Sequence, residues 1–161
     1  MVNQIKKIAL IVNLVRNPNI KVSSLIADKV LSELSSSNYY GAVLLNSDKA
    51  LTVNLNPNRV ITFIGDSLEG PFGYFEVPTL GNDQPKQVSL SNLTHLLPIE
   101  EFSFTIMGVD SHMNLTESVR HLSFSGYDCS VRTSLIKSNR DLTYSSIRRF
   151  CHIINDNVVP A

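Results

Sequence analysis

Residues 60–77 read Val-Ile-Thr-Phe-Ile-Gly-Asp-Ser-Leu-Glu-Gly-Pro-Phe-Gly-Tyr-Phe-Glu-Val, and the fold turns on how they are parsed. Val60 to Ile64 is an apolar run rich in β-branched side chains, which predicts a strand. It stops at Gly65. Gly70, Pro71 and Gly73 then crowd into four positions and forbid a helix after the turn. Residues 65–100 are therefore expected to form an irregular connector, with Phe72 to Val77 as a short strand closed by Pro78. On this parsing 1–161 is a single domain, with halves 1–64 and 101–161 joined through 65–100.

Upstream, Ile5 to Val15 is apolar on both faces, which predicts a strand covered on both sides. Asn17-Pro18-Asn19 stops it. From Lys21 to Ser36 the positions Val22, Leu25, Ile26, Val30, Leu31 and Leu34 have helical spacing and one buried stripe. Tyr40 to Leu45, Leu51 to Leu55 and Val60 to Ile64 then read as a meander of strands. The turns between them are Asn46-Ser47-Asp48 and Asn56-Pro57-Asn58. Thr79 to Lys86 reads as an exposed loop, and Val88 to Leu97 fits a short strand or a helical turn.

Downstream, Phe102, Phe104 and Ile106 alternate with Ser103 and Thr105, a half-buried strand ending at Gly108. Asn114-Leu-Thr-Glu117 has the form of a capping box with Asn114 as cap, opening a helix whose stripe is Leu115, Val119 and Leu122. Tyr127, Cys129, Val131, Thr133 and Leu135 alternate with polar residues. That predicts a long strand with one wet face, antiparallel or at a sheet edge. Leu142 to Ile154 reads as a last helix burying Ile147, Phe150, Cys151 and Ile154. The expected class is α+β, a mainly antiparallel mixed sheet with helices 21–36, 114–124 and 142–155. The halves share a loose strand-helix-strand order, as an internal duplication would produce.

With 43% apolar residues the chain can bury a core, whereas 17% charged residues is low and the formal net charge is zero. Little long-range repulsion keeps copies apart, so a non-catalytic interaction or assembly module is the leading expectation, self-associating as a homo-oligomer or binding a protein partner. Zero net charge argues against a nucleic-acid backbone as partner of the whole chain. No apolar run reaches membrane-spanning length. The N-terminal run is broken by Asn13 and Arg16 with no small-residue cleavage site, which reads as a core strand rather than a signal peptide. Two cysteines, Cys129 and Cys151, make neither a disulfide scaffold nor a metal spacing, and the expected location is cytoplasmic.

The chemistry-bearing candidates are few. Ser67 follows an apolar strand at a sharp turn, where a nucleophile could be presented for a small serine hydrolase. Gly65-Asp66-Ser67-Leu68 resembles the nucleophile block of the GDSL (SGNH) hydrolases, and Gly81-Asn82-Asp83 resembles that family's Gly-x-Asn-Asp block with one residue missing. The resemblance implies attack on an ester by Ser67, with a Gly and an Asn holding the oxyanion. The chain departs from it at Glu69-Gly-Pro-Phe-Gly, which forbids the family's helix. It also offers Asp110-Ser111-His112 in place of the terminal Asp-x-x-His pair. Gly70-Pro71-Phe72-Gly73 is similar to a turn in the flavin domain of ferredoxin-reductase-like proteins, without that family's Arg-x-Tyr-Ser motif. No cofactor is expected.

The four histidines, His95, His112, His121 and His152, show no i, i+4 pairing, so no metal site is expected. Arg132, Lys137, Arg140, Arg148 and Arg149 form a mildly basic set in the last fifty residues. They are the candidates for an anionic ligand or nucleic acid.

Overall fold

The computed structural model describes residues 4–15, 21–69, 72–79, 84–111, 113–138 and 142–156. Eight strands form one sheet, with order β5-β4-β3-β2-β1-β6-β7-β8. They are β1 (Lys6–Val12), β2 (Gly41–Leu45), β3 (Val60–Ile64), β4 (Tyr74–Val77), β5 (Lys86–Ser89), β6 (Phe102–Asp110), β7 (Cys129–Ser138) and β8 (His152–Ile154). The helices are α1 (Lys21–Ser36), α2 (Leu93–Leu96), α3 (Asn114–Ser125) and α4 (Leu142–Ile147). No helix among the described residues is long and apolar enough to cross a membrane.

The sheet is mostly parallel, which corrects the expectation of a mainly antiparallel one. β1 pairs in parallel with β2 and β6, β2 with β3, β6 with β7 and β7 with β8. Only β3–β4 and β4–β5 are antiparallel. β1-α1-β2 and β6-α3-β7 are thus each a parallel strand-helix-strand unit, and the fold is mixed α/β.

Both faces are covered, as continuous apolar runs require. Ile8, Leu10 and Val12 of β1 join one core with Phe63, Phe104, Leu115, Val119, Leu122 and Ile147. Ala9 and Ile11 join a second core with Ile26, Ala27, Val30 and Leu34 of α1. Period-two alternation in the strand therefore sorts side chains between two helix layers rather than between core and water. On α1, Leu25 is 65% exposed and lies outside the buried stripe assigned to it from spacing.

Three local expectations change. Leu51 to Leu55 is not a strand: Lys49–Thr52 is a 3₁₀ turn that tucks Leu51 into the core. The last helix ends at Ile147, and His152–Ile154 is a strand instead, with Ile154 half exposed. The polar face of β7 is only partly wet. Arg132 on that face donates to Glu33 of α1, and to Asp156 at 2.7 Å, while Tyr39 donates to Glu33 at 2.7 Å. Asp156 also accepts from the Ser134 N–H (2.7 Å) and hydroxyl (2.6 Å), where β7 bulges against β6. A polar alternation facing a part-buried ion-pair network looks in sequence like one facing solvent.

Candidate functional site

The chain lays down β1, β2 and β3 outward in one direction, then returns to start β6 on the other side of β1. The carboxyl ends flanking that reversal are where open α/β sheets form a crevice. A cleft of about 640 Å³ lies there. Asn13 comes from the end of β1, Asn46 from the end of β2, and Gly65, Asp66 and Ser67 from the end of β3. Ser111 follows β6, and Asn114 and Glu117 come from the first turn of α3.

A carboxamide cluster forms one wall. Asn13 Nδ2 donates to the Val109 carbonyl at 2.8 Å and to Asn114 Oδ1 at 2.7 Å. Asn114 Nδ2 donates back to Asn13 Oδ1 at 3.1 Å and to the Asp66 carbonyl at 3.3 Å. Asn46 Nδ2 also reaches Asn13 Oδ1 at 3.1 Å. Asn13, Asn46 and Met113 are the three non-glycine residues of positive φ among those described, at 59°, 49° and 64°. Left-handed backbone tolerates Asn best, and it is concentrated at this one site.

The opposite wall is the Ser67 turn docked on α3. Ser67 Oγ donates to Glu117 Oε2 at 2.8 Å, and the Leu68 N–H donates to Ser118 Oγ at 3.2 Å. Arg120 Nε and Nη2 donate to the two Glu69 oxygens, both at 2.6 Å. The Arg120 guanidinium holds the Glu69 carboxyl below the usual carboxylate range. Ser67 is 4% exposed, yet it borders the cleft.

The capping box is corrected. Met113 occupies the cap position of α3 with no side-chain bond, and Asn114 is the first helical residue. The α3 N-terminus is served by Asp110, whose oxygens accept from the Leu115 N–H (3.1 Å) and the Thr116 hydroxyl (3.3 Å). Thr143 of α4 donates to the same carboxylate at 2.7 Å. Asn114 and Glu117 are thereby released to face the cleft.

Of the residues put forward from sequence as catalytic or ligand-binding candidates, only Ser67 lies in this cleft. Arg132 is engaged by Glu33 and Asp156. Burial works against the charge on each carboxylate. Bonds from Tyr39 and Arg132 outweigh it at Glu33, and bonds from Ser134 and Arg132 outweigh it at Asp156, so both pKa values fall below their usual range. Lys137 is exposed near the carboxyl end of β7, while exposed Arg148 and Arg149 precede the amino end of β8, so the sheet separates them. Arg140, His112, Asn17-Pro18-Asn19, Gly70-Pro71 and Gly81-Asn82-Asp83 lie outside the described residues.

Among described residues no histidine bonds Ser67. His95 is exposed, and His152 is exposed beside Asp128 at 3.2 Å. His121 borders a neighbouring cleft with Glu69 and Leu93, and burial lowers its pKa, which leaves it neutral at pH 7. Burial raises the thiols of Cys129 and Cys151 to about 12 and about 11, so neither is a thiolate at neutral pH. No three His, Cys, Asp or Glu side chains among the described residues converge to hold a metal ion.

Asn13, Asn46, Asp66, Ser111, Asn114 and Glu117 were not singled out from sequence as functional. One signal was present: Asn13 and Asn46 directly follow the apolar runs of β1 and β2, and Asp66 follows that of β3 after Gly65.

No protein-family model matches the chain, and no curated protein matches its sequence. Solved structures do match its fold. N-carbamoylsarcosine amidase from Thermoplasma acidophilum aligns over 98% of this chain and 100% of its own, with TM-score 0.58 and 9% identity. MAR1 ribonuclease from Caenorhabditis elegans aligns over 96% and 78%, with TM-score 0.58 and 12% identity. An isochorismatase-like hydrolase from Alkaliphilus metalliredigens aligns over 94% and 95%, with TM-score 0.58 and 9% identity. The fold is therefore similar to that of isochorismatase-like hydrolases. This overturns the non-catalytic, oligomer-forming assembly module expected from composition, because the architecture is one found in hydrolytic enzymes. Low charge described the surface and carried no information about the crevice.

Proposed function

We propose that the chain is a small hydrolase that cleaves an amide-like or ester carbonyl bond in the switch-point cleft, with Ser67 as nucleophile and Glu117 as its base. The observation that carries this is the 2.8 Å bond from the Ser67 hydroxyl to Glu117 at the cleft wall. The fold neighbours support it, since those proteins are named as an amidase, a ribonuclease and a hydrolase. Glu117 takes the hydroxyl proton as Ser67 Oγ bonds the carbonyl carbon, then passes it to the departing amine or alcohol. Water attacks the acyl-serine in the second half, giving a proton to Glu117, which returns it to Ser67 Oγ as the acyl–oxygen bond breaks and the acid leaves. Asn46, with one N–H committed to Asn13, has its other N–H left for the oxyanion. Two free cysteines fit a cytosolic location for this chemistry.

A second reading, ligand binding without turnover, is favoured by two observations. The Ser67 oxygen is largely covered, and the Asn13–Asn114 amides close on each other. A panel of nitrophenyl esters and anilides, with a fluorophosphonate probe, separates the two. Turnover is expected to fall on the order of 10²-fold or more in Ser67→Ala and in Glu117→Gln. Rates unchanged in Ser67→Ala would remove Ser67 as nucleophile, and saturable binding without any turnover would favour the second reading.

A further inference from the structure

We infer that this cleft selects ligands bearing a protonated amine, with Asp66 as the counter-charge. The inference rests on the cleft being the ligand site, as proposed above, but not on catalysis there. It follows from a count of donors and acceptors. Both N–H groups of Asn13 are committed, to Val109 and Asn114, and both of Asn114, to Asn13 and Asp66. The Ser67 hydroxyl donates to Glu117. Among the described lining side chains, the donors left are one N–H of Asn46 and the Ser111 hydroxyl.

Acceptors are in surplus. Asp66 is exposed and lines the cleft, and among the described residues Glu117 is bonded through Oε2, to Ser67, which leaves Oε1. No described lining residue is basic. Arg120, one turn along α3, is clamped by both oxygens of Glu69. An incoming carboxylate or phosphate would meet two negative charges and few donors. An ammonium group brings three donors and a positive charge to the side where acceptors are free.

Three amides of similar size test this: glycinamide (cationic), propionamide (neutral) and malonamate (anionic). Their binding is followed by NMR shifts of the Asn side-chain amides, in the wild-type chain and in Ser67→Ala. Glycinamide is expected to bind on the order of 5-fold more tightly than propionamide at low salt, as for one partly exposed ion pair, with malonamate weakest. The preference should shrink as salt is raised. Asp66→Asn should bring the glycinamide to propionamide ratio to about one, and Asp66→Glu should keep it. Equal affinities in the wild type, no binding by any of the three, or a ratio untouched by Asp66→Asn would overturn the inference. A preserved preference in a chain that turns over no ester supports it and counts against the hydrolase alone.

Discussion

Gly108 sits where β6 passes beside the end of β1. A Cβ there would lie 2.0 Å from the Val12 carbonyl oxygen, and φ is +124°, a region L side chains rarely adopt. Gly108→Ala is therefore expected to destabilise by about 3 kcal/mol or more, since overpacking and backbone strain add. Denaturant unfolding measures it, and a loss under about 1 kcal/mol would show that β1 and β6 can separate at low cost. Asn114 is a second sensitive position. Truncating it to Ala removes both of its bonds to the Asn13 amide and leaves one Asn13 N–H without that partner, which should cost about 1–3 kcal/mol, read in the same experiment.

At the level of elements, three consecutive residues, Ser67, Leu68 and Glu69, each bond a residue of α3: Glu117, Ser118 and Arg120. This row of contacts does for the turn what a following helix would do in another fold. It holds Ser67 through bonds to α3. The Arg120–Glu69 pair is partly exposed, so Arg120→Ala should leave stability nearly unchanged. Its expected effect is on positioning: ester turnover should fall through kcat while KM changes little, and Arg120→Lys should restore part of it. Equal losses in KM and melting temperature would instead mark the pair as merely structural.

Across the molecule, the network of Glu33, Tyr39, Arg132 and Asp156 ties α1, β7 and the segment after β8. Both carboxylates have folded pKa values below their ordinary 4.5 and 3.8. They therefore add stability that is fully present above about pH 5 and lost as pH falls through the folded values. The melting temperature should start to drop as pH falls below about 4.5 and go on dropping below pH 3, and Asp156→Asn should flatten that drop while lowering stability at neutral pH. An acid profile identical in the variant would place the loss elsewhere.

The sequence by itself determined the local elements with strong periodicity: β1, α1 at both its ends, β2, β3, β6 and α3. Each is a run whose apolar spacing has one physical interpretation. It also marked the Ser67 turn, through the glycines and proline that follow. Strand direction and pairing were not legible, because parallel and antiparallel partners make the same local demand for alternating side chains. That one ambiguity hid the site. In a meander, successive strand ends alternate between two edges, so Asn13, Asn46 and Asp66 read as unrelated turn residues. In a parallel sheet the same ends gather on one side, and the reversal of strand order beside β1 opens a cleft between them. The tertiary structure alone decided that Arg132 faces carboxylates rather than water, and that Glu117 turns from its own helix cap to the hydroxyl of Ser67.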